Sequence, residues 1–177
     1  VDVGGGTGTL IGAILSRNPS LRGTLFDQPQ VVAAAEAVLR SAGGASGADT
    51  VARCELVGGS FFEEGSVPPG ADVYVLKNII HDWADAEARL ILRAVAKAMG
   101  PNSVLVALDI VRPDRLGHEP WRLDFIDYYD LQMLVTVGGK ERSRSEWEHL
   151  LAGAGLQLGS VTRGTDGIVS AIEAHLA

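Results

Sequence analysis

A run of glycines near the start of the chain constrains its fold more than any other feature. Four of residues 4–8 are glycines, and they stand between an apolar stretch ending at Val3 and a helical pattern beginning near Thr9. Glycine permits positive φ angles and carries no side chain, so a ligand can touch the backbone there. The free N–H groups of the helix start favour a negatively charged group. The pattern therefore predicts a strand, a tight turn and a helix that together bind a ligand.

Short apolar stretches alternate with amphipathic stretches along the rest of the chain. We expect strands at residues 1–3, 21–26, 51–57, 72–76, 104–111, 156–163 and 167–174. We expect helices at residues 10–17, 29–41, 84–99, 121–135 and 145–154. This alternation predicts an α/β fold with a mostly parallel twisted sheet and helices on both faces. The last two strands have no helix between them, which predicts an antiparallel hairpin at one edge of the sheet.

The length and charge of the chain restrict its class of function. Its 177 residues suit one domain, residues 1–177. A net charge of −7 argues against a nucleic-acid partner, which needs a basic surface. One cysteine, no long apolar run and no signal peptide favour a cytoplasmic protein without a membrane partner. The chain opens on the tail of an apolar strand without an initiator Met, so we expect the start of that strand to be missing.

The residues around the glycine run discriminate between two nucleoside cofactors. Asp27 ends the second expected strand, where a carboxylate can accept hydrogen bonds from both ribose hydroxyls. The dinucleotide pattern G-x-G-x-x-G needs a glycine where this chain has Thr9, and the chain reads G-x-G-x-G instead. A pyrophosphate needs that third glycine, whereas a carboxylate and an ammonium group do not. The pattern favours S-adenosylmethionine (SAM), with an NAD-dependent oxidoreductase as the alternative.

A histidine follows the fourth expected strand, at the sheet edge where ligands bind in open α/β sheets. The strand ends near Leu76, and His81 stands in the stretch after it. A neutral imidazole can take a proton near pH 7, and such a base needs an acceptor on its other nitrogen. Asp109, at the end of the fifth strand, and Glu141, in a later loop, are both candidates for that acceptor. The alternatives are a structural histidine, a surface acid and an ion-paired loop acid.

Five motifs are spread over most of the chain. They read DVGGGTG at residues 2–8, FDQP at 26–29, VGGSFF at 57–62, LKNIIHDW at 76–83 and GGKER at 138–142. In this order they resemble the SAM-dependent O-methyltransferases of the plant caffeate and isoflavone type and their bacterial natural-product relatives. The resemblance implies a Rossmann-like class I methyltransferase fold. It also implies an N-terminal dimerisation domain upstream of this chain, through which the whole protein would form a homodimer.

The resemblance implies roles for individual residues as well. His81 would be the general base, flanked by Glu141 and by Asp109, which stands where the family commonly has Glu. Met133 matches a family position that packs on the acceptor ring. The SAM contacts would be Gly4, Gly6, Asp27 on the ribose, Ser60 where many relatives carry Asp, Phe61 beside the adenine, and Lys77.

Together these residues predict methyl transfer to a hydroxyl, a phenol in particular, of a small natural product. Trp83 and Phe125 supply aromatic surface that suits a flat acceptor, with core packing as the alternative. No metal is expected, because the histidines lack ligand spacing and the acids in residues 124–130 fit a solvated or ion-paired face. Arg142 and Arg144 are expected on a solvated helix start. A relative that binds SAM without transferring methyl groups is the second alternative.

Overall fold

Strands and helices alternate along the chain. The structure, a computed structural model, describes residues 1–42, 44, 47–114, 120–165 and 167–177, and for residues 42 and 120–124 it describes the backbone alone. The strands are β1 (Asp2–Val3), β2 (Gly23–Asp27), β3 (Cys54–Gly58), β4 (Val73–Lys77), β5 (Val104–Arg112), β6 (Arg142–Ser143), β7 (Leu156–Arg163) and β8 (Val169–Leu176). The helices are α1 (Thr9–Arg17), α2 (Pro29–Val32), α3 (Ala35–Ala42), α4 (Gly47–Ala52), α5 (Asp85–Ala98), α6 (Pro120–Thr136) and α7 (Arg144–Ala152).

The strands form one mixed sheet in the order β3-β2-β1-β4-β5-β8-β7. The pairs among β1 to β5 are parallel, whereas β8 runs antiparallel to β5 and β7 runs antiparallel to β8. The short strand β6 adds a parallel pair to the end of β5, with Arg142 opposite Val111. The predicted α/β fold with a mostly parallel sheet and an antiparallel C-terminal hairpin at its edge is confirmed.

Helices pack on both faces of this sheet. Phe26 lies in a buried cluster with residues of α5 and α7, such as Ile91 and Trp147. Its neighbour Leu25 lies in a second cluster with residues of α1 and α3, such as Leu39. Successive side chains of a strand point to opposite faces, so one strand contributes to both layers of the core.

Two local expectations were wrong. The strand expected from residue 51 begins only at Cys54, because residues 51 and 52 end helix α4, and Arg53 after it donates hydrogen bonds to the carbonyls of Leu15 (2.9 Å) and Leu21 (2.8 Å). The single helix expected at residues 29–41 is divided into α2 and α3, although alanine at the division has the highest helix propensity.

Because β1, β2, β4 and β5 are parallel neighbours, their carboxyl ends lie along one edge of the sheet. The segments that follow these strands are the glycine turn, Asp27, the stretch around His81 and the end of β5. These four segments, which carry most of the candidate site residues, therefore open onto the same edge of the sheet.

Among the helices that the structure describes, none is long and apolar enough to cross a membrane.

Candidate active site

The glycine turn connects β1 to α1 through left-handed backbone conformations. Gly4, Gly6 and Gly8 have φ angles of +70°, +62° and +87°, which side chains with a Cβ rarely adopt. The amide of Gly6 donates to Asp27 Oδ2 at 2.8 Å. The amide of Gln28 donates to Asp27 Oδ1 at 2.7 Å. Each oxygen of this carboxylate keeps a lone pair for a further donor, so Asp27 is fixed in place and still able to accept from a ligand hydroxyl.

The segment after β4 lies directly beside this turn. A Cβ built on Gly4 would come within 2.6 Å of Ile79 Cδ1 and 3.6 Å of Phe61 Cε1. A side chain at position 4 would therefore collide with Ile79, which stands two residues before His81. This contact brings the glycine turn and the histidine-bearing segment to one place.

Three aromatic rings cluster next to the glycine turn. The ring centroid of Phe61 lies 4.9 Å from that of Phe62 and 6.1 Å from that of Trp83, and the Phe62 and Trp83 centroids are 4.8 Å apart, all edge to face. Trp83 was predicted to contact the acceptor and Phe61 to lie beside the adenine, so the two predictions fall on one apolar surface. Ser60 Oγ accepts from the Phe62 amide at 3.2 Å. Lys77 ends β4 with an exposed side chain.

An abrupt change of direction after β4 presents the histidine. Asn78 has a φ of +54° and donates its amide to the Leu108 carbonyl at 3.0 Å. Few residues other than glycine adopt this conformation, but asparagine is enriched in it. A single 3₁₀ turn, Ile80–Asp82, follows and carries His81. The buried side chain of Ile80 anchors this turn in the core.

Two buried carboxylates face one nitrogen of this histidine. His81 Nδ1 lies 3.0 Å from Glu141 Oε1, a hydrogen bond, and 3.4 Å from Asp109 Oδ1. Within the described chain the Asp109 carboxyl makes no hydrogen bond, so Glu141 orients the imidazole and Asp109 acts on it by proximity. The side chain of His81 is 14% exposed, and that of Asp109 is 1% exposed. Nε2 lies 3.5 Å from Asp82 Oδ1, beyond ordinary hydrogen-bond distance, and stays available to a proton.

The charges of this cluster are coupled. Burial lowers the pKa of His81, but the hydrogen bond that Nδ1 donates to Glu141 and the charge of Asp109 outweigh this effect, and the net pKa is raised above its usual value. Burial raises the pKa of Asp109 from 3.8 to about 7, against the opposing influence of His81. Around neutral pH the cluster therefore binds a proton more readily than an isolated histidine does.

The end of α6 packs against the same turn through the loop that carries Glu141. The amide of Gly139 donates to the Met133 carbonyl at 3.2 Å, and the amide of Glu141 donates to Asp130 Oδ1 at 2.8 Å. The side chain of Met133 is half-buried at this junction. Phe125 is 40% exposed, with its ring centroid 4.8 Å from that of Tyr129.

No group of three or more His, Cys, Asp or Glu in the described part of the chain could hold a metal ion. Asp130 forms an ion pair with Arg112, as the expected ion-paired face requires. His118 and the side chain of Asp124 lie outside the described residues.

Comparison with known proteins identifies the family. A family model described as an O-methyltransferase domain matches residues 1–157. The chain belongs to this family. Mitomycin biosynthesis 6-O-methyltransferase of Streptomyces lavendulae is 42% identical over 89% of the chain and 41% of its own length. Phenazine O-methyltransferase of Lysobacter antibioticus is 40% identical over 99% of the chain and 47% of its length. The caffeic acid 3-O-methyltransferase of Zinnia elegans is 35% identical over 89% of the chain and 40% of its length.

Solved structures of O-methyltransferases have the same fold. The structure of a mitomycin 7-O-methyltransferase superimposes with a TM-score of 0.84 at 39% identity, over 99% of this chain and 48% of that one. An O-methyltransferase from neocarzinostatin biosynthesis, in complex with SAM and 2-hydroxy-5-methyl naphthoic acid, gives 0.82 at 34% identity over 99% and 48%. The O-methyltransferase domain described here thus has the class I methyltransferase fold, and it spans about half the length of the curated relatives it matches.

One residue of this O-methyltransferase domain was assigned wrongly from the sequence. Arg142 was expected on a solvated helix start, yet its side chain is only 1% exposed. Arg144 is exposed and pairs with Glu148 at 3.2 Å, as a helix-start residue should. The difference has a topological cause, since β6 places Arg142 beside β5 and under the turn that carries His81. A charge within a GGKER motif gives no sign of its burial, so this contact had no sequence signal.

Proposed function

We propose that this domain is the catalytic part of a SAM-dependent O-methyltransferase that methylates a phenolic hydroxyl of a small natural product. The observation that carries the proposal is the His81 cluster, which lies beside the glycine turn. The imidazole of His81 forms a hydrogen bond through Nδ1 to Glu141 at 3.0 Å, and its Nε2 remains available to a substrate. The family to which the chain belongs and the relatives it resembles support the same reaction.

The residues of the glycine turn fit SAM. Asp27 is oriented by two backbone amides and retains lone pairs for the ribose hydroxyls. Gly6 leaves the backbone open to a ligand, Gly4 lets the turn pack closely on Ile79, and Phe61 offers an apolar face beside Gly4. Ser60 and Lys77 complete the proposed set of cofactor contacts. When bound, SAM supplies a methyl group on a positively charged sulfur, which is a good electrophile.

The protein then supplies the base and the geometry. A phenol has a pKa near 10, with tyrosine as the model, so it needs help to lose its proton near neutral pH. In the proposed mechanism His81 Nε2 accepts that proton while Nδ1–H donates to Glu141, and the two buried acids stabilise the resulting imidazolium. No protein group forms a covalent intermediate in this mechanism, so positioning and proton transfer account for the domain's contribution.

A flat aromatic acceptor suits the apolar side chains of Trp83 and of α6. We assign acceptor contacts to Trp83, which packs on Phe62, and to Met133 and Phe125 of α6. The relative from neocarzinostatin biosynthesis, in complex with a hydroxylated naphthoic acid, supports an aromatic acceptor. The comparisons give no support to an NAD-dependent oxidoreductase. A thermal-shift comparison of S-adenosylhomocysteine with NADH tests this point, and stabilisation by NADH alone would reject the cofactor assignment.

The deciding experiment measures transfer of a labelled methyl group from SAM to a panel of phenols by mass spectrometry. The parent protein should label at least one phenol, and His81→Ala should lose about 10²–10⁴-fold in kcat while it binds S-adenosylhomocysteine as the parent does. His149→Ala is the matched control, because that histidine is exposed on α7. Parental turnover in His81→Ala would remove His81 as the base. Cofactor binding without any labelled product would favour a relative that has lost methyl transfer.

We also propose that the whole protein is a homodimer through a further domain and works in the cytoplasm. The matched relatives are more than twice as long as the matched segment, which is the length a second domain needs. Light scattering on the full-length protein should give twice the monomer mass, and cell fractionation should recover it with the cytoplasm. A monomer, or recovery from another fraction, would reject the respective proposal.

A further inference from the structure

The buried guanidinium of Arg142 contacts the backbone on both sides of His81. Its Nη1 donates to the Ile80 carbonyl at 2.8 Å, and its Nη2 donates to the Trp83 carbonyl at 2.8 Å. These two carbonyls bracket the 3₁₀ turn that carries the histidine. A planar guanidinium presents its donors in a fixed geometry, so two such contacts define the orientation of the turn and not only its distance.

Asp85 neutralises this buried charge. Asp85 Oδ1 accepts from Nη2 at 2.9 Å and from Nε at 3.1 Å, while Lys140 Nζ lies 3.3 Å from Asp85 Oδ2. Removing an arginine from water is costly unless it is paired and hydrogen-bonded. Here its donors go to a carboxylate and to main-chain carbonyls of the active-site turn, so the cost of burial is offset only when the turn is in this position.

Arg142 is also attached to both acids of the cluster. It follows Glu141 directly in the chain, and its own backbone pairs with Val111 of β5, the strand that contains Asp109. The amide of Lys140 donates to the His81 carbonyl at 2.9 Å. The same charge opposes the rise in the pKa of Asp109. Through its side chain and its backbone, Arg142 thereby connects the segment of the base to the segments of both acids.

We propose that Arg142 is a positioning residue for methyl transfer, whose guanidinium holds the turn bearing His81 against the strand and loop bearing Asp109 and Glu141. This inference rests on the proposed function of His81 as the base. The guanidinium contacts described above go to the carbonyls of Ile80 and Trp83 and to Asp85, and not to the imidazole of His81. Arg142 therefore acts through the backbone of the turn. Its loss should therefore affect turnover and the state of the imidazole while cofactor binding stays intact.

The test replaces Arg142 by Lys in the full-length protein, with Arg144→Lys as the matched control on the exposed neighbouring arginine. Lysine keeps the charge but cannot donate from a planar fork to Ile80, Trp83 and Asp85 together. We expect kcat to fall about 10²-fold, as for a small misplacement of a catalytic group, with the Kd of S-adenosylhomocysteine within threefold of the parent. Arg144→Lys should stay within twofold of the parent in both. Parental kcat in a folded Arg142→Lys protein would overturn the proposal.

A second readout does not depend on turnover. NMR of ¹⁵N-labelled imidazoles reports the tautomer of His81 and its titration among the acids that face it, Asp82, Asp109 and Glu141. In the parent the proton should reside on Nδ1, and in Arg142→Lys the tautomers should mix. If the parent methylates no phenol but Arg142→Lys mixes the tautomers, the proposed function fails and the positioning role stands. An unchanged His81 spectrum in the variant overturns the positioning role whatever the activity.

A folding failure of the Arg142 variant is covered by Asp85→Asn. Asparagine keeps the size of the Asp85 side chain and one acceptor oxygen for the guanidinium, at a position that is half exposed, so the fold should persist. We expect a loss of about tenfold in kcat, taking about 1.5 kcal/mol for a hydrogen bond to a charged group, and partial mixing of the His81 tautomers. A folded Asp85→Asn protein with parental kcat and a parental His81 spectrum would also reject the proposal.

Discussion

The two ends of the proposed active site, one for the cofactor and one for the base, are held in place by different kinds of contact. At the cofactor end, the glycine turn and Asp27 belong to adjacent strands, and main-chain amides orient the carboxylate directly. At the base end, His81 and Glu141 are 60 residues apart, and the hydrogen bond between them depends on a loop, a short strand and a buried arginine. The cofactor end is built from backbone conformation, whereas the base end is built from long-range side-chain contacts.

Because of this difference, changes at the two ends should affect different measured quantities. A change in the glycine turn acts on local φ angles and on one carboxylate, so it should affect cofactor affinity first. A change in the loop of residues 138–142 acts on the relative position of three chain segments, so it should affect turnover first.

The largest effect is expected at Gly139, where the loop touches the turn. A Cβ at this position would lie 1.9 Å from the His81 carbonyl oxygen and 2.6 Å from the Asp82 carbonyl carbon. Both are backbone atoms and cannot rotate away, so Gly139→Ala must move the turn or the loop. We expect kcat to fall by at least about 10²-fold, as for a misplaced catalytic group, with little change in S-adenosylhomocysteine affinity by calorimetry.

Gly100→Ala is the control for this prediction. A Cβ there meets only Ser103 Oγ at 3.6 Å, an ordinary contact, and the residue lies after α5, away from the site. Its kcat should equal that of the parent. Equal turnover in Gly139→Ala and Gly100→Ala would show that the loop can move without disturbing the base.

The two acids of the base end should differ in importance. Glu141→Gln removes the charge that hydrogen-bonds to His81 Nδ1 and should lower kcat about tenfold to 100-fold, within the range for a hydrogen bond to a charged group. Asp109→Asn should cost less, because the pKa of Asp109 is raised to about 7 and the amide resembles its protonated form. Steady-state kinetics on both variants test the order, and a larger loss in Asp109→Asn would reverse our assignment.

The pH dependence of turnover tests the effect of Glu141 on the pKa of His81. A base must be neutral to accept a proton, and the pKa of His81 is raised, so parental turnover should increase with pH through a value above 6.5. The hydrogen bond that His81 Nδ1 donates to Glu141 is the main influence that raises this pKa. In Glu141→Gln the acid limb should therefore move to lower pH, and a shift to higher pH would contradict the cluster's electrostatics.

The cofactor end could be predicted from the sequence more fully than the base end, because its contacts are local in the chain. Asp27 and the glycine run could be assigned because strand, turn and carboxylate are close in the chain and require particular residue types. His81 could be placed because it follows an apolar strand. Burial of Arg142 could not be predicted, since its partners Ile80 and Trp83 offer main-chain carbonyls that leave no residue-type signal about 60 positions away. The same holds for Gly139, whose neighbour is also a carbonyl.

A moderate effect is expected at the cofactor end. The two carboxylate oxygens of Asp27 accept from the amides of Gly6 (2.8 Å) and Gln28 (2.7 Å). Asp27→Asn keeps the shape of the side chain but puts an NH₂ donor in place of one of these oxygens. S-adenosylhomocysteine affinity should fall about tenfold, corresponding to about 1.4 kcal/mol, with kcat at saturating SAM within a few-fold of the parent. A fall in kcat with unchanged affinity would show that the two ends are not separable.

The smallest effect on the reaction is expected from Asp2, the buried acid beside the glycine turn. Burial raises the pKa of Asp2 from 3.8 to about 6, so the folded state holds a proton that the unfolded chain releases between these values. Stability from this residue is greatest below pH 4 and falls as the pH rises to 6. Asp2→Asn removes that dependence, so its Tm relative to the parent should increase by a few degrees between pH 4 and pH 7. Calorimetric melts at the two pH values measure the change, and a relative Tm that decreases with pH would mean that the ionised carboxylate is stabilised at this position.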